Sequence, residues 1–207
     1  WSTGETGSTI VVNPSSATNY SVQVTQGSCI EQLSTSVTVA TLPEYELPDT
    51  VYMTPGAPAF ITGPAGFSTY SWTPSDLVDN PSGVGVFFTG TESATIALDA
   101  VHPDGCTIYN EVVVIIIDPT IPNGFSPNND LINDLFVIPE LVDFPGALTV
   151  WNRWGDEVYQ SDNYQNNWDG TCQGMFCLGE NDVPEGTYFY LLEIKEFTFK
   201  GYITIKK

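Results

Sequence analysis

The 207-residue sequence predicts an all-β protein. Helical periodicity is missing along nearly the whole chain. Short runs of apolar–polar alternation recur instead, each closed by Gly, Pro, Asn or Ser. A third sign is the continuous apolar run at 112–117, which suits a strand covered on both faces. Together these describe tandem β-sandwich modules followed by a small antiparallel β-sandwich at the C-terminal end.

The elements follow in chain order. Tyr20, Val22 and Val24 alternate with Ser21, Gln23 and Thr25, and Val37 and Val39 repeat the pattern. A faint internal repeat links the first part of the chain to the second. Thr9-Ile10-Val11-Val12, Gly27-Ser28-Cys29 and Val37-Thr38-Val39 correspond to Ala94-Thr95-Ile96-Ala97-Leu98, Asp104-Gly105-Cys106 and Val112-Val113-Val114. Both parts resemble the bacterial immunoglobulin-like modules strung together in large adhesins. In such modules a Trp fills the space between two sheets. The resemblance therefore implies that Trp72 lies mid-sandwich, and that Trp1 marks the middle of a module whose first strands precede this chain.

Two proline-punctuated linkers divide the chain, one near Leu42-Pro43-Glu44-Tyr45-Glu46-Leu47-Pro48 and one at Asp118-Pro119-Thr120-Ile121-Pro122. The resulting parts are a partial module at 1–41, a full module at 42–118 and a terminal domain at 119–207. In the last, Leu148-Thr149-Val150-Trp151 and Glu157-Val158-Tyr159 flank Asn152-Arg153-Trp154-Gly155, a hairpin with turn residues in place. Asn167-Trp168-Asp169-Gly170 and Pro184-Glu185-Gly186 are further turns. The final two strands place Tyr188, Tyr190, Leu192 and Ile194 on one face, then Phe197, Phe199, Gly201, Ile203 and Ile205.

Charge narrows the function. The formal net charge is −20, and the five basic residues are Arg153, Lys195, Lys200, Lys206 and Lys207. Twelve acids and no bases occur through residue 118, against thirteen acids and five bases beyond it. Such a chain is repelled by nucleic acid and by anionic lipid. No apolar run is long enough to insert in a membrane. The start at Trp1, with no initiator Met or signal peptide, reads as the C-terminal piece of a longer exported protein. Four cysteines fit export through an oxidising space: Cys172 and Cys177 are spaced for a small disulfide loop, while Cys29 and Cys106 have no obvious partner in their own segments.

Catalytic patterns are poor. His102, the single histidine, stands in the loop-like Val101-His102-Pro103-Asp104-Gly105-Cys106. No nucleophile elbow, phosphate loop or zinc motif accompanies it. The sequence reads as a non-enzyme. Asn128-Asn129-Asp130-Leu131-Ile132-Asn133-Asp134 offers oxygens at short spacing. Two readings stand: calcium ligation through Asp130 and Asp134, or an Asx-turn network without any cofactor.

Five motifs in fixed order mark the last part of the chain: Pro122-Asn123-Gly124-Phe125-Ser126-Pro127-Asn128 running on to Asp134, Trp151-Asn152-Arg153-Trp154-Gly155, Asn167-Trp168-Asp169-Gly170, Pro184-Glu185-Gly186-Thr187-Tyr188, and Lys200-Gly201-Tyr202-Ile203-Thr204. Over 119–207 they resemble the type B, gliding-motility-associated C-terminal sorting domain of Bacteroidetes type IX secretion cargo. That family usually carries glycines where Asn129 and Leu131 stand here. The resemblance implies a folded address, read by the type IX translocon and by an outer-membrane β-barrel partner of the gliding-motility family, that holds an adhesin outside the cell at the outer membrane. Docking is expected at Asn123, Phe125, Pro127, Asn128, Asp130, Asn133 and Asp134 in one loop and at Asn152, Arg153, Trp154 and Gly155 in another. Gly201 and the tail Lys206–Lys207 complete the set, on a terminal strand expected at a sheet edge. Phe125 and Trp154 are the expected anchors, and Arg153 is expected to stack on an aromatic ring or pair with a carboxylate. A second reading makes the chain the carbohydrate-binding end of a secreted polysaccharide-degrading enzyme, through Trp72, Tyr70 or Trp168.

Overall fold

The computed structural model describes residues 1–40, 42, 45–173 and 182–207. The first linker, through Pro43 and Glu44, lies partly outside them, as does the proposed partner Cys177. All thirteen named strands are β, joined by turns and two 3-10 turns among the described residues. The chain divides into two compact units. One holds Trp1–Val51, Phe60–Gly90 and Ala94–Val114; the other holds Tyr52–Ala59, Thr91–Ser93 and Ile115–Lys207.

In the first unit, β1 (Thr18–Gln26) and β2 (Cys29–Val37) form an antiparallel hairpin closed at Gly27-Ser28. None of its residues is buried, so the hairpin buries no core of its own. The sandwich that follows is different. A four-stranded sheet is ordered β3 (Thr50–Met53), β8 (Thr107–Ile116), β7 (Ala94–Val101), β5 (Thr69–Thr73), with a separate pair of β4 (Phe60–Thr62) and β6 (Gly85–Phe87). Alternation aims Ile96, Leu98 and Ala100 of β7 and Val112 and Val114 of β8 inward, where all are buried. Ile61 and Val86 of the small pair are buried as well.

Trp72 is the keystone that the module resemblance implied. Its ring is fully buried beside Leu98, its cross-strand partner, and its indole N–H donates to the Gly83 carbonyl at 2.9 Å. A large ring whose one polar group is satisfied can fill an inter-sheet space without leaving an orphan donor. Of the residues offered for sugar stacking, Trp72 and Trp168 are both core, at 0% and 1% exposure, and cannot present a face to a ligand. Tyr70 spends its hydroxyl on the Pro64 carbonyl at 2.7 Å. His102 sits in the β7–β8 turn, its Nδ1 3.1 Å from Asp104 and its ring edge-on to Phe67.

The second unit is built on one five-stranded sheet, ordered β11 (Glu157–Ser161), β10 (Gly146–Trp151), β12 (Gly186–Ile194), β13 (Phe197–Ile205), β9 (Gly124–Phe125). Every pairing is antiparallel except that of β9 with β13. Leu148, Val150, Tyr188, Leu192, Ile194, Ile203 and Ile205 point to one face and are buried. Loop aromatics, with Leu141 from the 3-10 turn Pro139–Val142, form the layer above them. Trp168 lies at the centre, 5.2 Å ring to ring from both Phe125 and Tyr159 and edge-on to Phe136. Burial pushes the Tyr164 phenol well above its usual range; its hydroxyl donates to the Phe136 carbonyl and accepts from the Trp168 N–H.

Candidate functional site

Register alone brings most of the predicted docking residues to one end of the terminal sheet. Trp151 closes β10 opposite Phe189, Gly186 opens β12 opposite Ile205, and β9 runs parallel to β13 at the same level. The loops after Phe125 and after Trp151, the turn before Gly186 and the C-terminus therefore emerge together.

The first loop is an Asx network. Asp134 accepts backbone N–H groups from Asn128 (3.0 Å) and Asn129 (2.8 Å) on Oδ1 and from Leu131 (2.8 Å) on Oδ2. Asn128 Oδ1 takes the Asp130 N–H, and Asp130 Oδ1 takes that of Ile132. Both acids suggested as calcium ligands thus turn oxygens onto the backbone, the behaviour of short polar side chains in turns. Among the described residues, no three His, Cys, Asp or Glu side chains gather to hold a metal ion.

Backbone geometry in this loop favours glycine at the two positions where the resemblance leads one to expect it. Asn129 and Leu131 adopt φ of 63° and 70°, and Asn133 56°. Asn tolerates the left-handed region; Leu does not, and Leu131 is 93% exposed, with no packing to offset the strain. Leu131→Gly should stabilise the terminal unit by about 0.5–1 kcal/mol, the left-handed strain less the extra freedom of glycine in the unfolded chain. A rise in the denaturant midpoint checks it, and a fall would show that the Leu131 side chain has a contact of its own.

The second loop is a tight turn. Asn152 Oδ1 accepts the N–H groups of Trp154 and Asp156, each at 2.9 Å, and its amide donates to Asp156 Oδ2 at 3.0 Å. Gly155 takes φ 88°, which a side chain would strain. The Arg153 guanidinium carbon stacks 4.2 Å above the centre of the Trp154 ring, as expected, and Trp154 is 73% exposed. With Asp156, Asp182, Glu185 and Tyr188, these residues line a cleft of about 590 Å³. Burial raises the Tyr188 hydroxyl above its usual range, with the Arg153 charge pulling the other way.

Several predicted site residues lie elsewhere than expected. Phe125 is buried against Trp168 and Phe136, so of the two expected anchors only Trp154 is at the surface. Pro127 is half-buried against Gly170. Gly201 faces the Tyr190 ring: a Cβ there would stand 2.7 Å from the hydroxyl, so its smallness serves packing. The end of β13 is not an open edge. Thr204 donates to the Asn123 carbonyl at 2.9 Å and Lys206 to that of Phe125 at 3.3 Å, because β9 lies alongside.

Nor is the last residue a loose tail. The Lys207 N–H reaches Glu185 Oε1 at 2.7 Å and its ammonium reaches Asp182 at 3.1 Å. Neither Asp182 nor Glu185 is among the docking residues expected from the sequence, although Glu185 stands in the Pro184-Glu185-Gly186 motif. Cys172 is disulfide-bonded, and the pairing proposed with Cys177 lies outside the described residues. Cys29 and Cys106 are free thiols.

Comparison with known proteins identifies the class of the terminal segment. Residues 119–205 match the CHU_C type IX secretion signal domain. This segment is a C-terminal sorting domain of the type IX secretion system, and the sandwich before it lies outside the match. The chain carries a secretion and sorting region of an exported protein. No curated protein matches the sequence. Similar solved structures include domains 3–5 of Drosophila OTK, at 14% identity over 92% of this chain and 72% of that one, with a TM-score of 0.36. The titin I-band fragment I67–I69 aligns at 12% identity over 92% and 75%, also with a TM-score of 0.36. The insect immune protein hemolin aligns at 11% identity over 91% and 55%, with a TM-score of 0.35. At these scores the architecture rests on the strands described above.

Proposed function

We propose that residues 119–207 carry a large adhesin, used in gliding or attachment, out through the type IX translocon and hold it outside the cell at the outer membrane, where a β-barrel of the gliding-motility family receives it. The match of 119–205 to the sorting domain carries this reading. The gathering of two motif loops, the turn before Gly186 and the C-terminus at one end of a sheet supports a single docking end. Exposed Trp154, stiffened by Arg153, is the natural anchor there, and the acidic rim at Asp156, Asp182 and Glu185 selects a partner with cations. Lys207 already engages two of those acids, which leaves Lys206 and the loops as the tail's contribution. On this reading the two modules before residue 119 are spacers, kept soluble and apart by twelve acids with no base. Whether a reporter followed by residues 119–207 reaches the surface of a type IX-competent cell is the test; retention in the periplasm would overturn the proposal.

A further inference from the structure

The face of the terminal sheet that points away from its core carries a row of aromatic rings. Trp151, Phe189 and Tyr202 occupy adjacent strands in direct register: Trp151 pairs with Phe189, and Phe189 with Tyr202. Their neighbours along each strand, Val150, Tyr188 and Ile203, point inward and are buried. The core is therefore complete without the row. Phe189 is 50% and Tyr202 56% exposed, and Trp151 is partly exposed. Three large rings facing water in one line are an unfavourable use of a surface unless something covers them.

We propose that this face binds a neutral glycan chain lying across β10, β12 and β13, with its sugar rings stacked on Trp151, Phe189 and Tyr202. The shape of the patch selects that ligand. Strands stand about 4.8 Å apart, so the row spans about 10 Å, a length that two linked pyranose rings match. The patch is narrow. Thr187 faces Thr204 along one side of it, while Thr149, Leu191 and Lys200 run along the other, so hydroxyl and ammonium groups are within reach of sugar hydroxyls on both flanks. A protein docking surface would carry an apolar centre broad in both directions, ringed by polar residues. Here the aromatic part is one ring deep along the strands, with Thr187 and Thr204 on one flank and Thr149, Leu191 and Lys200 on the other, which suits a linear polyhydroxylated polymer with an apolar ring face.

Charge makes the glycan neutral. A chain of formal charge −20 repels polyuronates and phosphorylated polymers, and the row's only in-register charge is Glu157, opposite Trp151. The row adjoins the loop end, since Trp151 directly precedes Asn152, so glycan binding is read by retardation in a gel and not by export. A surface protein with such a face would grip polysaccharide through its terminal unit as well as through any upstream repeats.

Affinity electrophoresis of the whole 207-residue chain tests this, with gels containing a soluble β-glucan, a galactomannan or polygalacturonate. The wild-type chain should be retarded by at least one neutral polymer and not by polygalacturonate. Phe189→Ala and Tyr202→Ala should each weaken that binding about tenfold, the loss of one stacked ring. Phe189→Tyr keeps a ring and should retain it. Tyr109→Ala removes an exposed aromatic from β8 and should change nothing. The proposal is overturned by free migration of the wild-type chain in both neutral polymers, or by equal retardation in polygalacturonate. Unchanged binding in the two alanine variants, with their near-ultraviolet circular dichroism intact, or loss in Phe189→Tyr would overturn it as well.

Discussion

Trp168→Ala should destabilise the terminal unit by about 3–5 kcal/mol, a large share of the roughly 5–15 kcal/mol that holds an ordinary domain. The ring is 1% exposed and touches Phe125, Phe136 and Tyr159, so its loss opens a cavity at the centre of the layer above the sheet. Its indole N–H also satisfies the Thr171 carbonyl at 2.9 Å, and that acceptor would lose its partner. Neighbouring groups would loosen in turn. The Thr171 hydroxyl and N–H both bind Asp169 Oδ1 and hold that carboxyl below its usual range. Because the folded value is depressed, this contribution is present above the unfolded pKa and fades as pH falls through the folded one. The turn is therefore weakest in acid. Denaturant unfolding of the variant should show an early transition assigned to the terminal unit, and a cost under about 1 kcal/mol would mean the aromatic layer repacks around the gap. A secretion machine that reads a folded address should lose this cargo.

The matching change in the first unit should be as costly to stability and harmless to export. Trp72→Ala removes a fully buried ring together with the donor to the Gly83 carbonyl, and should cost about 3–5 kcal/mol. Gly63 shows how closely that region is packed: a Cβ there would stand 2.9 Å from both Leu98 Cδ2 and the Val84 carbonyl. Unfolding followed by near-ultraviolet circular dichroism would report loss of the sandwich. Surface delivery should persist, since residues 119–205 lie outside it. Loss of delivery with the terminal unit still folded would show that the module is read as well.

The contrast between these two tryptophans indicates what is legible in such a chain. Strict alternation announced β12 and β13, and Asn152-Arg153-Trp154-Gly155 announced a turn, because period and turn chemistry are local properties. The Arg153–Trp154 stack followed from adjacency. The two-residue β9 was not legible, since parallel pairing joins Gly124 to Thr204 across eighty positions and leaves no periodic trace. That pairing covers the end of β13 and sinks Phe125 into the core. The Lys207 contacts were hidden for the same reason, being set by where the turn before Gly186 lands. The aromatic row needed register: Trp151, Phe189 and Tyr202 look unrelated until the strands are laid side by side.

On the proposed reading, residues 119–207 alone are a sufficient address for export. The measurement is the fraction of a reporter, preceded by a signal peptide and followed by residues 119–207, that added protease can reach on intact type IX-competent cells. Most of the reporter should be accessible, and Trp168→Ala in the same fusion should return it to the protected level. A reporter that stays protected with the wild-type segment, although folded and stable in the periplasm, would contradict it.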